Sequence, residues 1–159
     1  AQQREGCAPL CPYDATQKPG FLQLMEDVWH YVTPGNMGVN STDIFVEGAK
    51  RYGAERGVSL ATEALDIAPL HAGGRSYDAV AAFVAGGLER GLPVAFLNLS
   101  NGTLRNLDSW HWVTITALRD REALICGEGE VRWVGLRLWL ATSMMGGGFV
   151  IVEPGPSRA

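Results

Sequence analysis

The sequence predicts an α+β domain in which the helices come first and an antiparallel sheet follows. Apolar residues recur at helical spacing in residues 21–92, whereas residues 93–153 contain short apolar stretches separated by tight turns. Helices followed by a meander of strands are typical of helices packed on one side of a curled sheet. The 159 residues, 47% of them hydrophobic, suffice for one domain with a core. We therefore predict a single domain over residues 1–159.

The first 92 residues predict three helices and one modest strand. Prolines and glycines break any helix in residues 1–20, which we predict to be irregular. Beyond them, Ser or Thr stands where two of the helices should begin, and Gly or Pro where each should end. The predicted elements are a helix from Phe21 to Val32, a helix from Thr42 to Tyr52, a strand from Val58 to Ile67 and a helix from Tyr77 to Leu88.

Residues 93–153 predict the sheet. The stretch from Pro93 to Ser100 is almost continuously apolar, which indicates a central strand covered on both faces. Arg119–Glu122 predicts a tight hairpin turn. The other predicted elements are strands over Trp110–Leu118, Ala123–Cys126, Glu130–Val134 and Phe149–Val152, and a short helical turn over Leu136–Thr142.

Composition excludes several classes of function. A net charge of −4 and a pI near 5.3 give no electrostatic basis for binding nucleic acid or an anionic membrane. No apolar run approaches the roughly 20 residues that span a bilayer, and the first residues show no signal-peptide pattern. We expect this N-terminus to be the cut end of a longer or processed chain. Three cysteines and three histidines are a thin supply of ligands, so we predict no metal and no cofactor.

The strongest candidate for chemistry is the histidine at the start of the strand Trp110–Leu118. With a period of two, His111 shares a face with Val113 and Ile115, the side expected to turn inward. A histidine held rigidly at a strand end, beside bulky indoles, suits a general base. The alternative is a half-buried histidine that only forms a structural hydrogen bond. Asn98 and Asn101 flank the facing turn, and we expect them to form that turn rather than to donate into a cleft.

These residues resemble a known family. Helices first, then a strand opening with Trp110-His111-Trp112-Val113, a hairpin and a closing Gly-Gly-Gly-Phe-Val strand resemble the papain-like cysteine peptidases, and in particular bacterial double-glycine, C39-like peptidases. The resemblance covers roughly residues 21–153. It implies a half-barrel sheet, thiol-dependent hydrolysis of a peptide bond and a Cys–His pair in which His111 is the base.

The resemblance also implies a nucleophilic thiol ahead of the helices, and Cys7 is the candidate. Cys7-Ala8-Pro9 is similar to the Cys-Gly-Pro motif of such families, whose following helix lowers the thiol pKa. Here Pro12 stands where that helix should elongate, and apolar periodicity begins only at Phe21. We therefore expect the nucleophile helix to lie upstream and the domain to be inactive or incomplete as given, with Cys7 as the alternative nucleophile.

The orienting Asn or Asp of the family has no clear counterpart. Cys126 occupies its expected place on the strand after the histidine, and Glu128 is a carboxylate that could replace it. We interpret Asp108 as a loop residue. Gln2 and Gln3 precede the candidate thiol, where the family has an oxyanion-hole glutamine, but we assign neither.

Two other functions stay open. The loss of a clear nucleophile motif and of the Asn or Asp partner favours a non-catalytic peptide-binding or interaction module on the same fold. An unrelated α+β protein with a structural His111 is the third hypothesis. The partners we predict begin with a peptide or protein substrate. Because a missing helix would leave an apolar patch open on the sheet, we also predict self-association with a second copy or binding of a partner helix.

Overall fold

The computed structural model describes residues 10–155, which form four α-helices and a six-stranded antiparallel sheet. The predicted α+β class is confirmed. None of these helices has the length and apolar composition needed to cross a bilayer. The helices are α1 (Lys18–Trp29), α2 (Thr42–Glu55), α3 (Tyr77–Glu89) and α4 (Leu136–Thr142), and the strands are β1 (Leu60–Ile67), β2 (Val94–Asn98), β3 (His111–Arg119), β4 (Glu122–Gly127), β5 (Glu130–Val134) and β6 (Gly147–Pro154).

The sheet is open, with the strand order β1-β6-β2-β3-β4-β5. The apolar strand β2 lies in its interior between β6 and β3, as its sequence predicts. The sheet is neither closed nor strongly curled, so the predicted half-barrel curvature is wrong. Strong curvature requires bulges, and the registers of β2–β3, β2–β6, β3–β4 and β4–β5 shift at one place only, between Ile115 and Ala117.

Two predicted boundaries change in instructive ways. Helix α1 begins at Lys18 rather than at Phe21, because Pro19 falls in its first turn, where a missing backbone N–H costs nothing. Strand β3 begins at His111 rather than at Trp110, whose backbone is left-handed. The predicted helical turn Leu136–Thr142 is confirmed as α4.

The chain divides into two compact units. The first comprises residues 10–39, 43–62 and 152–155 of the described chain, and the second comprises residues 40–42 and 63–151. The strands β2 to β5 and the helices α3 and α4 lie wholly in the second unit, which therefore holds the candidate histidine.

The core of the second unit is built around three aromatic rings. Phe96 and Phe149 stack with centroids 4.9 Å apart, and the edge of Trp139 meets them at 4.7 and 5.8 Å. Val80 and Val84 of α3 belong to the same buried cluster. These side chains lie on the same face of the sheet as His111. Helices α3 and α4 therefore cover the face from which the imidazole projects.

The second face of the sheet is buried at its centre in the described chain. Leu97 and Val150 point to this face and are both buried. The exposed apolar side chains that we predicted are present, but they lie elsewhere, on α1 and at scattered positions such as Val131 and Leu138.

The first unit is held by a polar network around one carboxylate. The Tyr13 hydroxyl donates to Asp27 at 2.9 Å, the Gln23 amide donates at 3.3 Å, and an Arg56 nitrogen lies 3.4 Å away. The Arg56 guanidinium lies over the Tyr52 ring, 3.8 Å from its centroid. The network ties the segment before α1 and the residue after α2 to the last turn of α1.

This network predicts acid sensitivity of the first unit. The pKa of Asp27 is lowered, chiefly because Tyr13 and Gln23 donate hydrogen bonds to the carboxylate, and further by the Arg56 charge. A lowered folded pKa stabilises the unit above the unfolded value of about 3.9, and this contribution is lost as pH falls through the folded pKa. We expect α1 amide protection, measured by hydrogen exchange and corrected for intrinsic rates, to fall between pH 5 and pH 3.

Asp27→Asn should remove most of that fall, because asparagine cannot titrate. Asp120→Asn, in the second unit, is the matched control and should leave the α1 response unchanged. An equal fall in the wild type and in Asp27→Asn would contradict the assignment.

Candidate functional site

His111 occupies the first position of β3, opposite Asn98 at the end of β2, which in turn lies opposite Gly147 of β6. Residues directly opposite each other in antiparallel strands project to the same face, so these three positions form one row across the sheet. The His111 side chain is 31% exposed, whereas Val113 and Ile115 behind it are buried. The predicted inward face is confirmed, and the imidazole stands at its solvent-accessible end.

Asn98 anchors the loop that leads to the histidine. Its Oδ1 accepts a hydrogen bond from Trp139 Nε1 at 2.7 Å, and its Nδ2 donates to the Asp108 carbonyl at 2.6 Å. The side chain is fully buried, so water does not compete with either hydrogen bond. The two bonds fix the backbone at Asp108, three residues before His111. The sequence offered one signal for this positioning role, a polar residue ending a continuous apolar strand. Asn101 donates to the Leu104 carbonyl and is loop-forming, as predicted.

Trp110, which directly precedes the histidine, has an unusual backbone conformation. Its φ of 58° lies in the left-handed region, which a bulky side chain rarely adopts and which costs about 1–3 kcal/mol. The indole is exposed immediately before His111. Trp112, the next aromatic, is on the opposite face from His111 and is half-buried. Of the two indoles, Trp110 is therefore the solvent-exposed one.

Glu128 is brought to the histidine by a hairpin turn. Glu128 and Gly129 have φ values of 52° and 79°, the signature of a type I′ turn between β4 and β5. This turn places Glu128 Oε1 3.8 Å from His111 Nε2. A Cβ at Gly127 would lie 3.0 Å from the Val113 side chain and 3.9 Å from Nε2, so the glycine leaves room beside the ring.

This geometry gives one ring nitrogen of His111 a charged neighbour. Nε2 faces the Glu128 carboxylate at 3.8 Å, which is longer than a hydrogen bond. The carboxylate is 62% exposed, so solvent screens the pair and its effect is modest. Histidine and glutamate together can hold and release a proton, which is the elementary requirement of a general base.

Two other candidates for orienting the histidine lie on the opposite face or pair with another residue. Cys126 pairs with Thr114, and its Sγ lies 3.8 Å from Thr116 Oγ1, on the face opposite to His111. The Asp108 carboxylate lies 3.7 Å from Arg132 and pairs with that cation, consistent with the loop role we predicted. Glu128 is therefore the carboxylate of this set that reaches His111.

Cys7, Gln2 and Gln3 lie outside the described residues, and their roles stay predictions. Among residues 10–155, no three His, Cys, Asp or Glu side chains cluster in a way that would hold a metal ion. The other two cysteines are free thiols, and the Cys11 thiol donates to the Tyr13 carbonyl at 3.4 Å.

Comparison with known proteins adds no assignment. No protein-family model matches the sequence, and no curated protein matches it significantly. The residues around His111 and the family resemblance of the sequence motifs are what indicate a function for this chain.

Proposed function

We propose that this chain is a cysteine-peptidase-like domain of papain-like type, with His111 as the general base. The domain is inactive or incomplete as given if its nucleophile lies upstream, and Cys7 is the alternative thiol that this chain itself offers. The observation that carries the proposal is the His111–Glu128 pair, at 3.8 Å, at the solvent-accessible end of an otherwise buried strand face. A carboxylate facing one ring nitrogen leaves the other free to take a thiol proton. Such a pair supports hydrolysis of a peptide or protein substrate.

The chemistry follows from these roles. His111 Nδ1 accepts the thiol proton, and the thiolate attacks the peptide carbonyl carbon to give a tetrahedral oxyanion. The imidazolium returns the proton to the leaving amine as the C–N bond breaks. Water, deprotonated by the same nitrogen, then attacks the thioester and releases the acid and the thiol. Glu128 stabilises the imidazolium formed in each half of this cycle.

The backbone just before His111 supports a catalytic role. Trp110 precedes the histidine with a φ of 58°. This left-handed conformation costs stability, and such strain concentrates at functional sites because the surrounding structure holds the side chains in place. The φ of 52° at Glu128, by contrast, is what its type I′ turn requires.

The test is the reactivity of Cys7 towards iodoacetamide at pH 6, mapped by mass spectrometry of the peptides. Cys11 and Cys126 serve as controls within the same molecule. A thiol of ordinary pKa is almost wholly protonated at pH 6 and reacts slowly. We expect Cys7 to react at least about tenfold faster than the other two thiols. Equal slow rates at all three would contradict thiol catalysis by this chain.

A second candidate function is a non-catalytic peptide-binding module on the same fold. Residues 10–17 contain no α-helix, so the described chain shows no helix dipole directly after Cys7 to stabilise a thiolate. Equal slow alkylation at all three cysteines, together with peptide binding that weakens in Trp110→Ala, would establish this function instead.

Glu128 should act as a positioning residue, and its contribution is predicted to be small. Glu128→Gln keeps the shape of the side chain but removes its charge. Because an exposed ion pair contributes up to about 1 kcal/mol, we expect Cys7 alkylation at pH 6 to slow by about two- to fivefold. The matched control is Glu130→Gln in the same hairpin, whose carboxylate lies 3.2 Å from Arg132.

The effect of Glu128→Gln should disappear in about 1 M salt, where the Debye length is about 3 Å. An equal loss in Glu130→Gln, or a loss that is independent of salt, would show a structural effect of the hairpin rather than a charge acting on His111.

A further inference from the structure

Helix α1 carries its large apolar side chains outside the protein. Phe21, Leu22, Met25 and Trp29 are between 48% and 58% exposed, and none of the twelve residues of α1 is buried. A groove of about 530 Å³ runs along this face, lined by Leu22, Met25, Glu26, Trp29 and His30. Four large apolar residues on one short helix form the kind of contiguous patch that marks a binding surface.

The patch is organised as a stripe along the helix. Lys18, Leu22, Met25 and Trp29 follow one another at intervals of four, three and four residues, which places them on one side of an α-helix. Spacing of this kind is the pattern by which one helix packs against another. The stripe begins with a cation and ends with an indole, so its two ends are chemically different.

We propose that α1 packs in antiparallel orientation against α1 of a second copy of this chain. Antiparallel packing places Lys18 of one copy over Trp29 of the other, a cation on an aromatic face, and sets Leu22 against Met25. Parallel packing would instead place Lys18 against Lys18 and Glu26 against Glu26. The helix dipoles also oppose each other favourably in the antiparallel pair.

The charges of α1 favour a second copy over a lipid surface. Glu26 and Asp27 lie on the helix beside the stripe, and the whole chain has a net charge of −4. An anionic membrane would repel this surface, whereas a second α1 offers both the apolar stripe and the complementary cation. The inference does not depend on the proposed catalytic function.

The oligomeric state in solution tests the proposal, by sedimentation equilibrium of the full chain at concentrations up to about 100 µM. We expect a monomer–dimer equilibrium that Leu22→Glu weakens at least tenfold. The matched control is Leu138→Glu on α4, because Leu138 is 49% exposed and Leu22 is 48% exposed. The control should leave the dimer intact, and circular dichroism should show unchanged helix content in both variants.

Lys18→Ala tests the orientation. The antiparallel pair loses its cation over Trp29, so dimerisation should weaken severalfold, whereas a parallel pair would lose a repulsion and tighten. A wild-type chain that stays monomeric over the whole range would overturn the proposal. So would a dimer that Leu22→Glu leaves intact, or one that Lys18→Ala strengthens.

Discussion

Replacing His111 by alanine should lower the hydrolysis of fluorescently labelled, denatured casein by about 10²–10⁴-fold, the usual contribution of a general base. The loss follows from the proposed role of the imidazole, which accepts the thiol proton and returns it to the leaving amine. The fold should survive the change, because the side chain is partly exposed at the end of β3 and the residues behind it are buried independently.

The matched control is His71→Ala. His71 lies in the short 3₁₀ turn Leu70–Ala72 of the same unit, and its side chain is exposed. Casein hydrolysis should be unchanged in this variant. Casein hydrolysis by the wild type that His111→Ala leaves undiminished would exclude His111 as the base.

Replacing Trp139 by alanine should lower the free energy of unfolding by about 3–5 kcal/mol, the cost of removing a fully buried aromatic side chain. The substitution leaves a cavity against Phe96 and Phe149. It also leaves the Asn98 Oδ1 without its indole donor in a buried setting. Urea denaturation should show a lower midpoint with an unchanged slope.

One variant separates the packing of Trp139 from its hydrogen bond, and a second compares it with a less buried tryptophan. Trp139→Phe keeps a ring but removes the N–H, and we expect a loss of about 1–3 kcal/mol. Trp133→Ala removes the same side chain from β5, where it is half-buried under Arg119, and should cost clearly less than Trp139→Ala. A loss in Trp139→Ala no larger than in Trp133→Ala would contradict the account of the core.

The local elements were predictable because their signals are local. Alternation by two residues placed His111 on the same face as Val113 and Ile115, and both of these are buried in the structure. The apolar run in β2 predicted an interior strand, and the sheet order confirms it. The short helical turn predicted over Leu136–Thr142 is α4. Each of these depends on neighbours within about ten residues along the chain.

The contacts of the site were harder to predict because they join distant segments. Glu128 reaches His111 only through the register of β3 with β4 and the type I′ turn that follows. Asn98 meets Trp139 across 41 positions of sequence, so its anchoring role has no local signal beyond its burial at a strand end. The left-handed backbone at Trp110 contradicts the preference of its own side chain, so propensity predicted a strand there instead.

The curvature of the sheet and the exposure of α1 were not predictable for a related reason. Periodicity predicts that α1 has an apolar face, but it does not state what covers that face. The family resemblance implied a curled half-barrel, but the curvature of a sheet depends on β-bulges. The pairings β2–β3, β2–β6, β3–β4 and β4–β5 shift register at one place only.

The pairing of Cys7 with His111 is tested by the rate at which iodoacetamide alkylates Cys7 at pH 6 in the wild type and in His111→Ala, read on the same peptide. A thiol of pKa about 8.5 is only about 0.3% ionised at pH 6, whereas a thiolate paired with an imidazolium is largely ionised. We therefore expect the rate to fall by on the order of 10²-fold when His111 is removed. Equal rates in the two proteins would contradict the pairing of Cys7 with His111.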